Sequence, residues 1–130
     1  MIVLDASATL DWLLRTPAGL KIEQRIYAPP QSVHAPHLLD LEVAQVLRRF
    51  VRERVISAPR AESAIGDLVD TRITRYPHRL LLPRVWQLRH NLTAYDAIYV
   101  ALAELLNAPL VTRDRKIGTA SGHHAQVEVV

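Results

Sequence analysis

Four acidic side chains stand where a carboxylate is either functional or costly. They are Asp5 after Met-Ile-Val-Leu, Glu42 in Leu-Leu-Asp-Leu-Glu-Val-Ala, Asp96 in Leu-Thr-Ala-Tyr-Asp-Ala-Ile-Tyr, and Asp114 in Leu-Val-Thr-Arg-Asp-Arg. Each lies where a predicted strand or helix begins or where its apolar pattern is interrupted. Acids at the carboxyl ends of parallel strands, and on the helices that follow, can converge on one crevice, and three or four converging carboxylates do not stay ionised together without a cation. That chemistry is a metal site. The chain has no cysteine, so its ligands must be oxygen or histidine.

Taken one at a time, the acids have ordinary structural roles as well. Asp5, between a strand and a helix, suits an N-cap worth about 1 kcal/mol. At 3.6 residues per turn Glu42 falls about 40° from Val46, on the margin of an apolar stripe, with Asp40 on the opposite margin. A glutamate there is usually solvated or paired with an arginine such as Arg49. Asp96 is the sharper signal: Ile98, Val100, Ala101, Leu102, Ala103, Leu105 and Leu106 make its helix apolar nearly all round, so the helix is buried and a first-turn carboxylate needs compensation. Asp114 reads as a turn or cap, and Thr112 can hydrogen-bond into the same crevice. His34 with His37 and His123 with His124 read as solvated loop pairs without a third catalytic partner. Trp12, Trp86, Tyr95 and Tyr99 read as core or interface residues, with stacking on bases as the alternative.

The elements that must position these groups are short. Ile2 to Leu4 read as a buried strand, Asp5 to Ser7 as a turn, and Ser7 as the cap of a helix over Ala8 to Arg15. Thr16-Pro17 starts a helix toward Tyr27, and Val33 to Ala35 form a strand closed by Pro36. Leu39, Val43, Val46 and Phe50 mark a helix from Leu38 to about Val55, with Arg48, Arg49, Arg52, Glu53 and Arg54 on its outer side. Ser57-Ala-Pro59 starts a helix over Arg60 to about Thr74, Arg79 to Leu82 are expected as a strand, and Pro83 opens a helix to about His90. Thr93 caps Ala94 to Leu106, Leu110 to Thr112 form a strand, and Val127 to Val130 a last edge strand. Short apolar strands separated by helices predict an α/β/α sandwich with a mainly parallel sheet.

At 130 residues, 49% hydrophobic and 22% charged, the chain is expected to fold as one domain, residues 1–130, rather than to stay disordered. Its three-residue apolar start is unlike a signal peptide and no apolar run approaches a membrane span, which predicts a soluble cytoplasmic protein. A net charge of +3, carried by arginine with lysine only at Lys21 and Lys116, suits a polyanionic partner but also fits a compositional habit.

The order and spacing of Ile-Val-Leu-Asp-Ala-Ser, Leu-Leu-Asp-Leu-Glu-Val-Ala-Gln-Val-Leu-Arg-Arg, Leu-Thr-Ala-Tyr-Asp-Ala-Ile-Tyr-Val-Ala-Leu-Ala-Glu and Pro-Leu-Val-Thr-Arg-Asp resemble the PIN-domain ribonucleases, specifically the VapC toxins of bacterial toxin-antitoxin pairs. The resemblance runs over essentially the whole chain. It implies a metal-dependent endoribonuclease whose Asp5, Glu42, Asp96 and Asp114 bind Mg²⁺ or Mn²⁺, with Asp5 and Asp96 the best direct ligands and Ser7 and Thr112 as supporting polar groups. Arg113 and Arg115 are expected to meet substrate phosphate or parts of an antitoxin. The resemblance further implies a cognate VapB-like antitoxin, a homodimer, DNA contact only through the antitoxin, and structured RNA such as tRNA as substrate. The alternative is a non-catalytic RNA-binding or scaffold protein that has kept the fold. A haloacid-dehalogenase-like phosphatase needs a second aspartate where Ser7 stands, and a response-regulator receiver wants an acidic pair after the first strand.

Overall fold

The computed structural model describes all of residues 1–130. The chain runs β1 (Ile2–Leu4), α1 (Ala6–Leu14), α2 (Pro17–Tyr27), β2 (Val33–Pro36), α3 (Leu38–Arg52), α4 (Ala58–Asp70) and β3 (Ile73–Tyr76). A 3-10 turn (Arg79–Leu81) leads into α5 (Leu82–Gln87), α6 (Ala94–Leu106), β4 (Leu110–Thr112), α7 (Arg115–Thr119) and β5 (Val127–Val129). The five strands pair in the order β3-β2-β1-β4-β5, every pairing parallel, in an α/β/α arrangement. No helix is long and apolar enough to cross a membrane.

The strand order explains where a site must lie. From the central β1 the chain builds outward through β2 and β3, then returns to lay β4 and β5 on the other side. The order therefore reverses between β1 and β4, and the carboxyl ends of those two strands open onto a crevice. Asp5 follows β1, and Arg113 and Asp114 follow β4. The central strands are wholly buried, which is why each is an unbroken apolar triplet or nearly so. α6 packs over β1, β2 and β4, and its residues Ala97 to Ala103 are all buried, as its apolar pattern predicts.

Several local readings shift. α1 begins at Ala6 because Asp5, not Ser7, is its N-cap, accepting from the Ala8 amide at 2.9 Å; the Ser7 hydroxyl turns to Asp5 instead. α3 ends at Arg52, and Leu39, Val43 and Leu47 form its buried stripe. The third strand is Ile73–Tyr76, not Arg79 to Leu82. In-register pairing with β2 outweighs the helical pattern that ran to Thr74, whereas the leucine run at 80–82 buries only Leu81 and turns as a 3-10 and α-helical corner. α7, only five residues long, has no counterpart among the predicted elements. His34 is not a loop residue: it is buried in β2, with its ring nitrogens 2.8 Å from the Ser32 hydroxyl and 2.7 Å from the Tyr76 hydroxyl.

One glycine is dictated by close approach. A Cβ on Gly19 would lie 1.9 Å from the carbonyl oxygen of Asp11, so α2 crosses α1 at backbone contact.

Candidate active site

Asp5 is the one acidic residue of the chain in the fully buried class, only 6% exposed. Its Oδ1 accepts from the Ala8 amide at 2.9 Å and the Ser7 hydroxyl at 2.7 Å, and its Oδ2 accepts from the Thr112 hydroxyl in a very short contact. Each hydroxyl is itself polarised by a backbone amide of the loop after β4, Arg113 donating to Ser7 at 3.0 Å and Asp114 to Thr112 at 2.9 Å. Two amide-to-hydroxyl chains thus converge on one carboxylate and tie the β1–α1 turn to the β4–α7 turn, each bond strengthening the next. Asp114 caps α7 by accepting from the Lys116 amide at 2.9 Å. Asp96 sits in the first turn of α6, whose cap Thr93 accepts from the Asp96 amide at 3.2 Å. Glu42, one turn into α3, accepts from the hydroxyl of Tyr99 at 2.6 Å.

These four acids line one cleft of about 700 Å³ together with Ser7, Asp11, Arg49, Arg60, Tyr99 and Arg113. Leu10, Leu14, Val46, Phe50, Val55 and Ile56 add an apolar part to its lining. Arg113 pairs with Asp11 at 2.8 Å and donates to the carbonyl of Val130, so it stands at the rim already engaged. Thr16 donates to Asp11 at 2.9 Å from the other side. Arg115 lies outside the cleft, beside Val127 and Val129. The predicted quartet, Ser7, Thr112 and Arg113 therefore meet, while Arg115 does not join them. Asp11, Arg49, Arg60 and Tyr99 are additions. Of these, Arg49 is expected from sequence only as a possible ion-pair partner of Glu42, a pair that does not form, and Tyr99 only as a core or interface residue.

The acids of the chain sort by what neutralises them. Asp11, Glu23, Asp40, Glu104 and Glu128 are partly or largely buried, and each has an arginine within 3.3 Å. Glu53, Glu62, Asp67 and Asp70 are exposed. Asp5, Glu42, Asp96 and Asp114 alone are withdrawn from solvent with no cationic partner in salt-bridge contact. Three of the four carry the electrostatic consequence. Burial first, then the charge of Asp96, pushes Asp5 up against the donors that hold it down; burial, Asp96 and Asp5 push Glu42 up; burial and Asp114 push Asp96 up. Tyr99, raised far above its ordinary value by burial and by Glu42, stays a protonated donor. Asp40, by contrast, is taken by Arg75 at 2.8 Å and is no part of the site.

An all-oxygen, anionic, partly buried donor set fits a hard divalent cation. No three of the acidic and histidine side chains close around a single point, so the arrangement is an open one rather than a cage.

The PIN domain family matches residues 2–122. Ribonuclease VapC12 of Mycobacterium tuberculosis is 38% identical over 130 residues, covering 100% of this chain and 99% of that protein. Ribonuclease VapC1 of the same organism is 41% identical over 129 residues, covering 98% and 96%. A toxin-antitoxin complex from Klebsiella pneumoniae shares the fold at 20% identity and a TM-score of 0.65, over 92% of this chain and 91% of that one.

Proposed function

Since the chain belongs to the PIN-domain family, and within it to the VapC ribonucleases, we propose that it is a Mg²⁺- or Mn²⁺-dependent endoribonuclease acting as the toxin of a toxin-antitoxin pair in the cytoplasm. The observation that carries this reading is the cleft lined by four withdrawn carboxylates, none of them in a salt bridge, while every other withdrawn acid has its arginine. A divalent ion held by these residues would supply the positive centre that lowers the pKa of a water and offsets charge building on a phosphodiester. Asp5, immobilised by three donors, and Asp96, at the mouth of a rigid buried helix, are the groups to hold that ion. Glu42 and Asp114 orient the attacking water or take its proton. Arg113, steadied by Asp11, faces substrate phosphate at the rim.

A structured RNA such as tRNA is the proposed substrate. A small cognate antitoxin is the proposed inhibitor, and the apolar part of the cleft lining gives its side chains a place to bury. A homodimer is also part of this reading. Leu80, Leu82, Trp86 and Tyr95 are all more than half exposed around the α5 corner, a patch that a second copy would cover.

The deciding experiment is RNA cleavage by antitoxin-free protein with Mg²⁺ or Mn²⁺ against EDTA, with Asp96→Asn as the control for contaminating nuclease. Metal-dependent cutting that disappears in the variant is expected. RNA binding without cutting under any metal would instead identify a non-catalytic RNA-binding protein of the same fold.

A further inference from the structure

Asp5 and Asp114 are helix caps, so a backbone amide of their own first turn pins each carboxylate. Glu42 has no such help. It lies one turn into α3, where the backbone amides are already committed to the helix, and its longer side chain has more rotamer freedom to lose. Its one hydrogen-bond partner is the Tyr99 hydroxyl at 2.6 Å, which occupies Oε1 and leaves Oε2 without a protein donor. Tyr99 is 2% exposed and its ring is gripped by the core of α6, so the phenol has no freedom to follow a wandering glutamate.

We infer that Tyr99 is a positioning residue that holds Glu42 in the single rotamer presenting Oε2 to the acidic end of the cleft. This rests on the ribonuclease reading and adds a residue to it. A rigid α6 carries both Asp96 and, three residues on, the hydroxyl that aligns the carboxylate of a different helix, so one element sets the spacing of two acids. Partners that orient ligating or catalytic carboxylates in this way contribute strongly to activity without touching substrate.

Tyr99→Phe removes only the hydroxyl. It is to be compared with Glu42→Gln and the double variant by Mn²⁺ binding, followed through the electron paramagnetic resonance of the free ion, by RNA cleavage with kcat and KM separated, and by crystal structures. The expected result is a kcat and Mn²⁺ affinity lowered roughly 10–100-fold in Tyr99→Phe, an unchanged KM for RNA, and Glu42 spread over more than one rotamer. On the Glu42→Gln background the loss of Mn²⁺ affinity should not recur. An equal loss on both backgrounds would mean that the phenol only supports the core and would overturn the inference, as would unchanged kcat and Mn²⁺ affinity with Glu42 in one rotamer. If the parent protein neither binds Mn²⁺ nor cuts RNA, the ribonuclease reading fails first. The rotamer of Glu42 in Tyr99→Phe then decides the positioning role separately.

Discussion

Thr112 shows how much a single hydroxyl carries here. It is fully buried, donates to Asp5 and accepts the amide of Asp114, so it connects two of the four acids through one oxygen. Thr112→Val keeps the volume but leaves the Asp114 amide without its acceptor and Asp5 without one donor. A loss of about 1–3 kcal/mol in urea unfolding is expected, together with reduced cleavage. Thr112→Ser, which restores the hydroxyl, should recover most of both. If valine were tolerated in both measurements, the paired chains onto Asp5 would be incidental geometry. Asp5 is legible in the sequence twice over, as a cap and as a candidate metal ligand; the structure shows the cap, with the same carboxylate facing the cleft. Tyr99 was legible only as an apolar position, because a phenol's partner across 57 residues of sequence is not visible in either helix alone.

At the scale of elements, α3 carries two acids two residues apart with opposite fates. Asp40 binds Arg75 of β3 through both oxygens, and Arg75 also caps the carbonyls of Leu68 and Ile73. Because that pair is partly exposed, Asp40→Asn is expected to lower stability by about 1 kcal/mol or less and to leave RNA cleavage intact. Loss of cleavage comparable to that of Asp96→Asn would show that the wrong face of α3 was assigned to the site. Helix periodicity alone separates Glu42 from Asp40 only modestly, since both acids flank the same stripe. What separates them is which neighbour each margin meets, β3 with its arginine or α6 with its tyrosine. Elements with local signals were readable in the same way: Thr16-Pro17 and Thr93 cap their helices as predicted, and β1 and β4 stand where their apolar triplets do. β3 was not, because its identity rests on pairing with β2 rather than on its own pattern.

For the whole molecule, the site is a stability cost that the fold carries. Asp5, Glu42 and Asp96 stand above the ordinary 3.8, 4.5 and 3.8, so over the range above about 4.5 the folded chain retains protons that the unfolded chain has released. Their contribution to metal-free stability therefore falls as pH rises through that window toward neutrality. Glu104 has the opposite sign: burial works to raise it, but Arg84, the His124 amide and the nearby charges outweigh that and hold it low, so its contribution is lost only as the pH falls below 4.5. His34, lowered chiefly by burial, also loses stability on acidification, as the unfolded chain takes up protons around 6.5. The clean readout is therefore a difference. Metal-free Asp96→Asn should melt above the parent at neutral pH, with the gain shrinking as the pH falls toward the ordinary 3.8, and added Mg²⁺ should narrow or reverse the ranking. A gain that does not vary with pH would rule out ionised Asp96 as its source. Light scattering on the purified chain is expected to give twice the mass of 14.7 kDa, and Trp86→Glu to return it to one copy; a parent that stays single would remove the homodimer from the reading.

The sequence by itself determined the class of fold, the central apolar strands, the buried α6 and the four acids. All of these follow from local patterning or from the cost of withdrawing a charge, which a residue and its near neighbours display. Tertiary structure alone decided that the four share one cleft, that Arg75 removes Asp40 from it, that Arg113 is held by Asp11, and that Tyr99 steadies Glu42. Each of those depends on which elements meet, and a parallel sheet whose order reverses between β1 and β4 brings together residues more than a hundred positions apart.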